Sequence, residues 1–287
     1  MTKLDETYTL NNGLEIPKVA FGTWQMPAEK TRQSVLDALE AGYRHIDTAL
    51  AYGNEKEVGQ AVRDSGIPRD QIYVTSKLPG ETKTYEGAKK DFETTFNNLD
   101  IDYLDLYLIH APFPWQEMGN VPADPAKYDK ANQEIWKAME EILATGKVKS
   151  IGVSNFNVRD MKALIDNSNV KPAVDQIQYY VGYTEPKISA YAKENDILVE
   201  AYSPLATGRM LSNPTVERIA EKYKASVAQL AIQFVIQNGA LPLPKATHKE
   251  HILDNAKLDF KISEEDMEKL NSLSDTAVDM WHNGHQE

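Results

Sequence analysis

The chain contains no cysteine, which excludes a disulfide scaffold, a thiolate nucleophile and a cysteine-ligated metal together. It has no apolar run near the ~18 residues a membrane helix needs, so no membrane role is expected. The opening MTKLDETYTL lacks the apolar core of a signal peptide, and a cytoplasmic location is expected. Basic residues are in deficit: 31 Lys and Arg face 43 Asp and Glu, a net charge of -12, which argues against a nucleic-acid surface. A local basic pocket for one phosphate remains compatible with that balance. No Gly-x-Gly-x-x-Gly follows a strand, so a Rossmann cofactor site is not indicated. No Pro/Gly/Ser linker, charge block, repeat or low-complexity tract divides the 287 residues, and one domain over residues 1–287 is expected. What is present, 41% hydrophobic and 26% charged residues, is the composition of an ordinary globular protein with a sizeable core.

Strand-like and helix-like segments alternate along almost the whole chain. Tyr8 to Leu10 and Leu14 to Ile16 flank Asn11-Asn12-Gly13, which reads as a small hairpin standing apart from the main sheet. Val19 to Trp24 then forms a short apolar strand, followed by a helix over Thr31 to Ala41. Further strands are read at His45 to Asp47, Tyr73 to Lys77, Leu104 to His110, Ser150 to Val153, Ala173 to Ile177, Leu198 to Tyr202 and Leu241 to Pro244. Helices fall between them, with two, near Thr215 to Tyr223 and Val227 to Gln237, before the last strand. Strands separated by helices run parallel, and eight of them close into a (β/α)8 TIM barrel, here with an N-terminal β-hairpin and extra C-terminal helices. Cores such as Leu106-Tyr107-Leu108-Ile109 are continuous rather than alternating, as expected when both faces are covered. Asp105 interrupts that strand without an evident role.

In this fold active sites collect at the C-terminal ends of the strands. Those ends carry Trp24, Asp47, Lys77, His110, Ser154-Asn155, Gln176, Tyr202-Ser203 and Lys245. The stretch Gly42 to Val58 adds a phenol, Tyr52, a few residues after Asp47. Asn54 then reads as the cap of the next helix, with Glu57 three residues on completing a capping box. Singly, each residue has a plainer reading: a carboxylate pinning a loop, a snorkelling lysine, a hydrogen-bonded core histidine. Jointly they suggest proton chemistry on a carbonyl. An unpaired ammonium is costly to bury, and Asp47 is the available counter-charge for Lys77. An ammonium beside Tyr52 is expected to favour its phenolate and ease proton release, and His110 could orient a carbonyl oxygen. No metal-ligand cluster or activated serine accompanies them, so reduction is more natural than hydrolysis, and a hydride source must bind nearby. Phosphate sites in such barrels form around the last two strand ends. Here those loops read Ser203-Pro204-Leu205-Ala206-Thr207-Gly208 and Lys245-Ala246-Thr247-His248, the second opening a helix from His248 to Asn255.

Taken in order, the blocks GYRHIDTALAYGNEKEVG, TSKL, YLDLYLIHAP, GKVKSIGVSNF, AYSPL and LPLPKATH resemble the aldo-keto reductases over nearly the whole chain, and most of all bacterial diketogluconate reductase-like members. The resemblance implies an oxidoreductase that reduces aldehydes or ketones with hydride from NADPH, NADH being a weaker alternative. It implies Tyr52 as proton donor, Lys77 and Asp47 as its tuning pair and His110 as the carbonyl-orienting residue. For the cofactor it implies Ser154, Asn155 and Gln176 at the carboxamide, Tyr202 stacked on the nicotinamide, Ser203 and Leu205 near the pyrophosphate and Lys245 at the ribose phosphate. Thr23, Trp24, Ala246, Thr247, His251, Asp254 and Asn255 complete that set. Trp24, Phe113, Trp115 and Trp281, with Tyr52 and His110, would line the substrate pocket. A monomer acting on a small carbonyl compound is expected.

Four positions depart from the family pattern. His251 stands where many relatives have arginine against the 2′-phosphate, and Ala246 where serine is frequent. Asp175 replaces a usual asparagine, and Ala111 replaces an aromatic found in some relatives, which suggests a roomier pocket. A neutral imidazole does not reproduce a bidentate, permanently charged guanidinium, so NADPH preference is expected to rest on Lys245 and to be smaller than in arginine-bearing relatives. Two other readings stay open at this point: a Schiff-base aldolase or lyase using Lys77, and a barrel retained as a non-catalytic binding module.

Overall fold

The computed structural model describes residues 2–117, 124–280 and 282. Two short strands, β1 (Thr7–Thr9) and β2 (Glu15–Pro17), pair antiparallel as a separate two-stranded sheet. Eight strands follow in one parallel sheet: β3 (Ala20–Gly22), β4 (His45–Asp47), β5 (Tyr73–Leu78), β6 (Leu104–Ile109), β7 (Val148–Ser154), β8 (Val174–Gln178), β9 (Leu198–Tyr202) and β10 (Leu241–Leu243). They neighbour one another in sequence order, and the Gly22 amide donates to the Pro244 carbonyl at 3.0 Å, joining the first strand to the last. The barrel and its appended hairpin thus stand as the alternation implied.

Helices α1 (Ala28–Glu40), α2 (Glu55–Asp64), α3 (Tyr85–Leu99), α4 (Asp129–Ala144), α5 (Val158–Ile165), α6 (Pro186–Glu194), α7 (Pro214–Lys222), α8 (Val227–Gln237), α9 (Lys249–Asn255) and α10 (Glu264–Asn271) surround the sheet. Their starts follow local chemistry: Asn157 with Asp160 and Ser226 with Gln229 form reciprocal capping boxes on α5 and α8. Where α2 and α3 meet, a Cβ on Gly59 would lie 1.8 Å from the Leu99 carbonyl oxygen, so only glycine permits that approach. None of the helices among the described residues is long and apolar enough to cross a membrane.

Two large apolar regions and a small cluster around Ala111 and Phe113 result among the described residues. Of the large ones, one lies between strands and helices, and the other fills the barrel, where Leu106, Leu108, Val174, Leu241 and Leu243 meet Leu10 and Ile16 of the hairpin. Asn11 and Asn12 fasten that hairpin by donating to Pro172 O, Lys149 O and Ser150 Oγ. The hairpin therefore closes the end of the barrel away from the strand C-termini. Asp105 belongs to this closed end, where it pairs with Arg69 at 2.8 Å and accepts the Val74 amide, so it braces neighbouring strands.

Some local expectations fail. The first helix begins at Ala28 rather than Thr31, directly after Pro27. Asn54 precedes α2 but makes no side-chain cap. Its amide instead accepts from Thr48 Oγ1 at 2.8 Å and donates to the carbonyls of Thr23 and Met26 at 3.0 and 3.3 Å. Long-range partners outcompete the local capping box, and the β3 and β4 loops are tied together where they carry Thr23 and Tyr52.

Candidate active site

The open end of the barrel brings Asp47, Tyr52, Lys77 and His110 to one rim. Asp47 ends β4 and Lys77 lies in β5, on strands whose register pairs Asp47 with Thr75. Lys77 is fully buried, and its ammonium reaches Asp47 Oδ1 at 2.6 Å, the Thr48 carbonyl at 2.8 Å and the Tyr52 hydroxyl at 3.4 Å. Its charge is thus matched by one carboxylate and saturated by two oxygens before it meets the phenol. Tyr52 comes from the 3-10 turn Leu50–Tyr52, which Gly53 terminates at φ +68°, a backbone state that favours glycine.

His110 follows β6 directly and is anchored by its amide, which donates to the Leu78 carbonyl at 3.0 Å. Its ring stands edge-on to Tyr52, with centroids 5.5 Å apart, and to Trp115 at 4.9 Å. Burial, reinforced by the nearby Lys77 ammonium, holds the imidazole well below its ordinary range. The ring is accordingly neutral, and its buried Nδ1 has no hydrogen-bond partner among the described residues. Tyr52 departs from the expectation of an eased proton. Burial first, and the Asp47 carboxylate second, push the phenol well above its ordinary value. The resting side chain is a neutral phenol that carries its proton.

Beside this group lies a connected polar cluster. Ser154 Oγ donates to the Gln176 carbonyl at 2.8 Å, and Asn155, held at φ +63°, donates through Nδ2 to the His110 carbonyl at 2.9 Å. The Tyr202 hydroxyl donates to Asn155 Oδ1 at 2.8 Å. Gln176 Nε2 donates to Asp47 Oδ2 at 3.0 Å and to Glu200 Oε2 at 2.8 Å, which links the cluster to the Lys77 pair. Thr23 is buried and holds the Asp47 carbonyl through both its amide and its hydroxyl, each at 3.0 Å.

The other expected residues sit further out. Ser203, Ala206 and Thr207 all adopt left-handed backbone in the tight loop after β9 that also carries Leu205. Lys245 is exposed after β10, with Ala246 and Thr247 half-buried beyond it. The His248 and His251 rings meet edge to face at 6.0 Å. Asp254 accepts from Ser226 Oγ and Gln229 Nε2, so this carboxylate also fastens α9 to α8, while Asn255 is buried. Trp24 is 45% exposed, Phe113 is buried against Tyr128, and Trp281 lies outside the described residues. Ala111 is buried, with its carbonyl held by Lys83 at 2.9 Å.

Sequence reasoning missed Glu200, which is fully buried beside Gln176 and pushed up to about 8, chiefly by burial and then by Asp47. Its signal was an acid two residues before Tyr202 within an otherwise apolar strand, on the same face of that strand.

The Aldo/keto reductase family matches residues 18–275, and the chain belongs to that family. It is 36% identical over 275 residues to the glyoxal reductase of Bacillus subtilis (strain 168), covering 95% of this chain and 94% of that protein. Among solved structures, an aldo/keto reductase from Brucella melitensis superposes with a TM-score of 0.85 at 38% identity, over 93% of this chain and 98% of that one. A Bombyx mori aldo-keto reductase in complex with NADP gives 0.84 at 30% identity, over 98% and 99% of the two chains.

Proposed function

We propose that this protein reduces aldehyde or ketone carbonyls to alcohols with NADPH as hydride donor, and that Tyr52 supplies the proton. The observation that carries the reading is the Tyr52 hydroxyl, 3.4 Å from the Lys77 ammonium and flanked by the neutral His110 ring. The cofactor fits the residues present. Ser154, Asn155 and Gln176 offer amide and hydroxyl groups for a carboxamide, Tyr202 offers an aromatic face, and Lys245 offers a cation for the 2′-phosphate. Thr23, Trp24, Ser203, Leu205, Ala246, Thr247, His251, Asp254 and Asn255 complete that surface in this reading. NADPH, when bound, supplies the hydride that becomes the new C–H bond.

The side chains do the rest. A neutral imidazole at His110 can donate one N–H to the carbonyl oxygen and fix its position, with Phe113, Trp115 and Trp24 bounding the substrate. As the carbonyl carbon accepts hydride, its oxygen gains negative charge and takes the Tyr52 proton. The phenolate left behind lies against the Lys77 ammonium, whose charge Asp47 maintains. Protonation is therefore coupled to charge development, which offsets the high intrinsic cost of ionising a half-buried, desolvated phenol.

The same geometry disfavours a Schiff-base role for Lys77, because an ammonium held at 2.6 Å from a carboxylate is not a free amine nucleophile. We also place the protein as a monomer in the cytoplasm, acting as a single domain. The test is loss of reduced-nicotinamide absorbance with a panel of aldehydes and ketones, alongside borohydride trapping of any lysine adduct. Carbonyl-dependent oxidation of NADPH without an adduct is expected. NADPH uptake without turnover across the panel would leave a binding module as the correct reading, and a trapped adduct on Lys77 would leave the aldolase.

A further inference from the structure

The fully buried Glu200 carboxyl lies inside the barrel, its Oε2 accepting one N–H of Gln176 at 2.8 Å, while Asp47 Oδ2 accepts from the same nitrogen at 3.0 Å. Gln176 Nε2, on β8, is thus clamped between an acid on the adjacent strand β9 and one across the barrel on β4. This fixes the orientation of the amide. If it were flipped, Oε1 would face the Asp47 carboxylate oxygen at hydrogen-bond distance, acceptor opposing acceptor, and Glu200 Oε2 would lose its donor. Gln176 Oε1 accepts no hydrogen bond among the described residues and is not one of the buried unpartnered atoms, so it is the amide's remaining acceptor.

We infer that Glu200 is a positioning residue for the cofactor, holding the Gln176 amide in the one orientation that presents its carbonyl oxygen to the N–H of a nicotinamide carboxamide. The inference rests on the assignment of Gln176 to the carboxamide. Asp47 alone would leave the amide one fixed hydrogen bond and freedom to turn about it, and Asp47 is already committed to Lys77 through its other oxygen. A carboxyl group buried at this depth with Oε1 unpartnered among the described residues, and pushed up to about 8 by its surroundings, costs the fold stability, so packing does not account for it. What it supplies is a second acceptor that locks a neighbouring amide.

The test uses four variants of the full chain: Glu200→Leu, Glu200→Gln, Gln176→Leu and the double Glu200→Leu/Gln176→Leu. NADPH binding is titrated directly, KM is measured separately for NADPH and for the carbonyl substrate, and Tm is followed for each. Glu200→Leu is expected to weaken NADPH binding about tenfold, the size of one well-placed hydrogen bond, with the carbonyl KM moving less than about twofold. Glu200→Gln, whose amide oxygen still accepts, is expected to stay within about twofold of the parent for NADPH. Because Glu200 acts through Gln176, the double variant is expected to bind NADPH no more weakly than Gln176→Leu alone. If Gln176→Leu weakens NADPH binding while Glu200→Leu does not, the positioning role is overturned and the carboxamide assignment survives. If Gln176→Leu itself leaves NADPH affinity unchanged, the carboxamide assignment fails and the positioning role with it. A Tm change in Glu200→Leu with NADPH affinity intact marks Glu200 as structural only and also overturns the role.

Discussion

The ammonium of Lys77 stands 3.4 Å from the hydroxyl of Tyr52, closer to the Asp47 carboxylate than to the phenol it is expected to assist. That ordering keeps Lys77 charged and leaves Tyr52 a protonated acid whose ionisation becomes favourable only when a neighbouring oxygen turns negative. Tyr52→Phe removes the proton and little else, since the ring and its edge-on contact with His110 are retained. Turnover is expected to fall by about 100- to 10,000-fold, the usual worth of a positioned general acid. NADPH affinity should stay within about twofold. Stopped-flow turnover together with NADPH titration checks both halves, and a variant that turns over at the parent rate would remove Tyr52 from the chemistry.

A second prediction concerns the ion pair as a unit. Asp47→Asn strands a fully buried ammonium, and breaking such a pair from one side costs about 3–5 kcal/mol of stability. Lys77→Met leaves Asp47 with the Gln176 amide as an uncompensated buried carboxylate, with a similar loss. The double variant removes both charges and should be more stable than either single one, while all three are expected to be inactive. Denaturant unfolding of the four proteins measures this. Additive losses in the double variant would mean that the two charges are not coupled.

The barrel and most of this site were legible because each depends on short-range pattern. Runs such as Leu106-Tyr107-Leu108-Ile109 are apolar on both faces, as a covered parallel strand is, and a polar group at the C-terminal end of a strand, as at Asp47, Lys77 or His110, is placed at the open rim by the fold itself. The Asn54 expectation failed for the opposite reason: capping-box spacing is local, whereas the hydrogen bonds that Asn54 makes run to Thr23 and Met26 on another loop. Glu200 escaped notice because its partner, Gln176, lies on a different strand. The direction of the Tyr52 shift is set by desolvation and by the Asp47 carboxylate around a phenol 3.4 Å from the Lys77 ammonium, and no sequence pattern carries that balance.

Asp175 yields a prediction in pH. It lies in β8, is fully buried, and burial pushes its carboxyl well above the ordinary range against a smaller opposing effect from the Phe156 amide. Unfolded, the same group titrates near ~3.9, so between that value and its folded value the native state binds the extra proton and stability falls as pH rises. Glu200, pushed up to about 8, acts in the same direction from about 4.3 upward. Asp175→Asn keeps the shape and removes the titration. Its Tm is expected to match the parent near pH 4 and exceed it by a margin that grows as pH rises to 7. Thermal melts at a series of pH values test this, and a constant difference across the series would assign the effect to packing.

The last prediction concerns the departure at His251. In the proposed cofactor surface Lys245 is an exposed cation without an ion-pair partner among the described residues, whereas the His251 ring is packed edge to face with His248. An imidazole offers a 2′-phosphate at most one donor and no permanent charge, while a guanidinium offers a charged fork of parallel N–H groups. His251→Arg is therefore expected to raise kcat/KM with NADPH relative to NADH by about tenfold, within the reach of one added charge-assisted contact. The gain should appear almost wholly as a lower KM for NADPH, because the contact is remote from the reacting carbon and acts equally before and during hydride transfer. Lys245→Met should shift the ratio the other way, and more strongly, since it removes the permanent cation. If His251→Arg leaves the ratio unchanged while Lys245→Met lowers it, the 2′-phosphate lies on Lys245 alone and His251 does not face it.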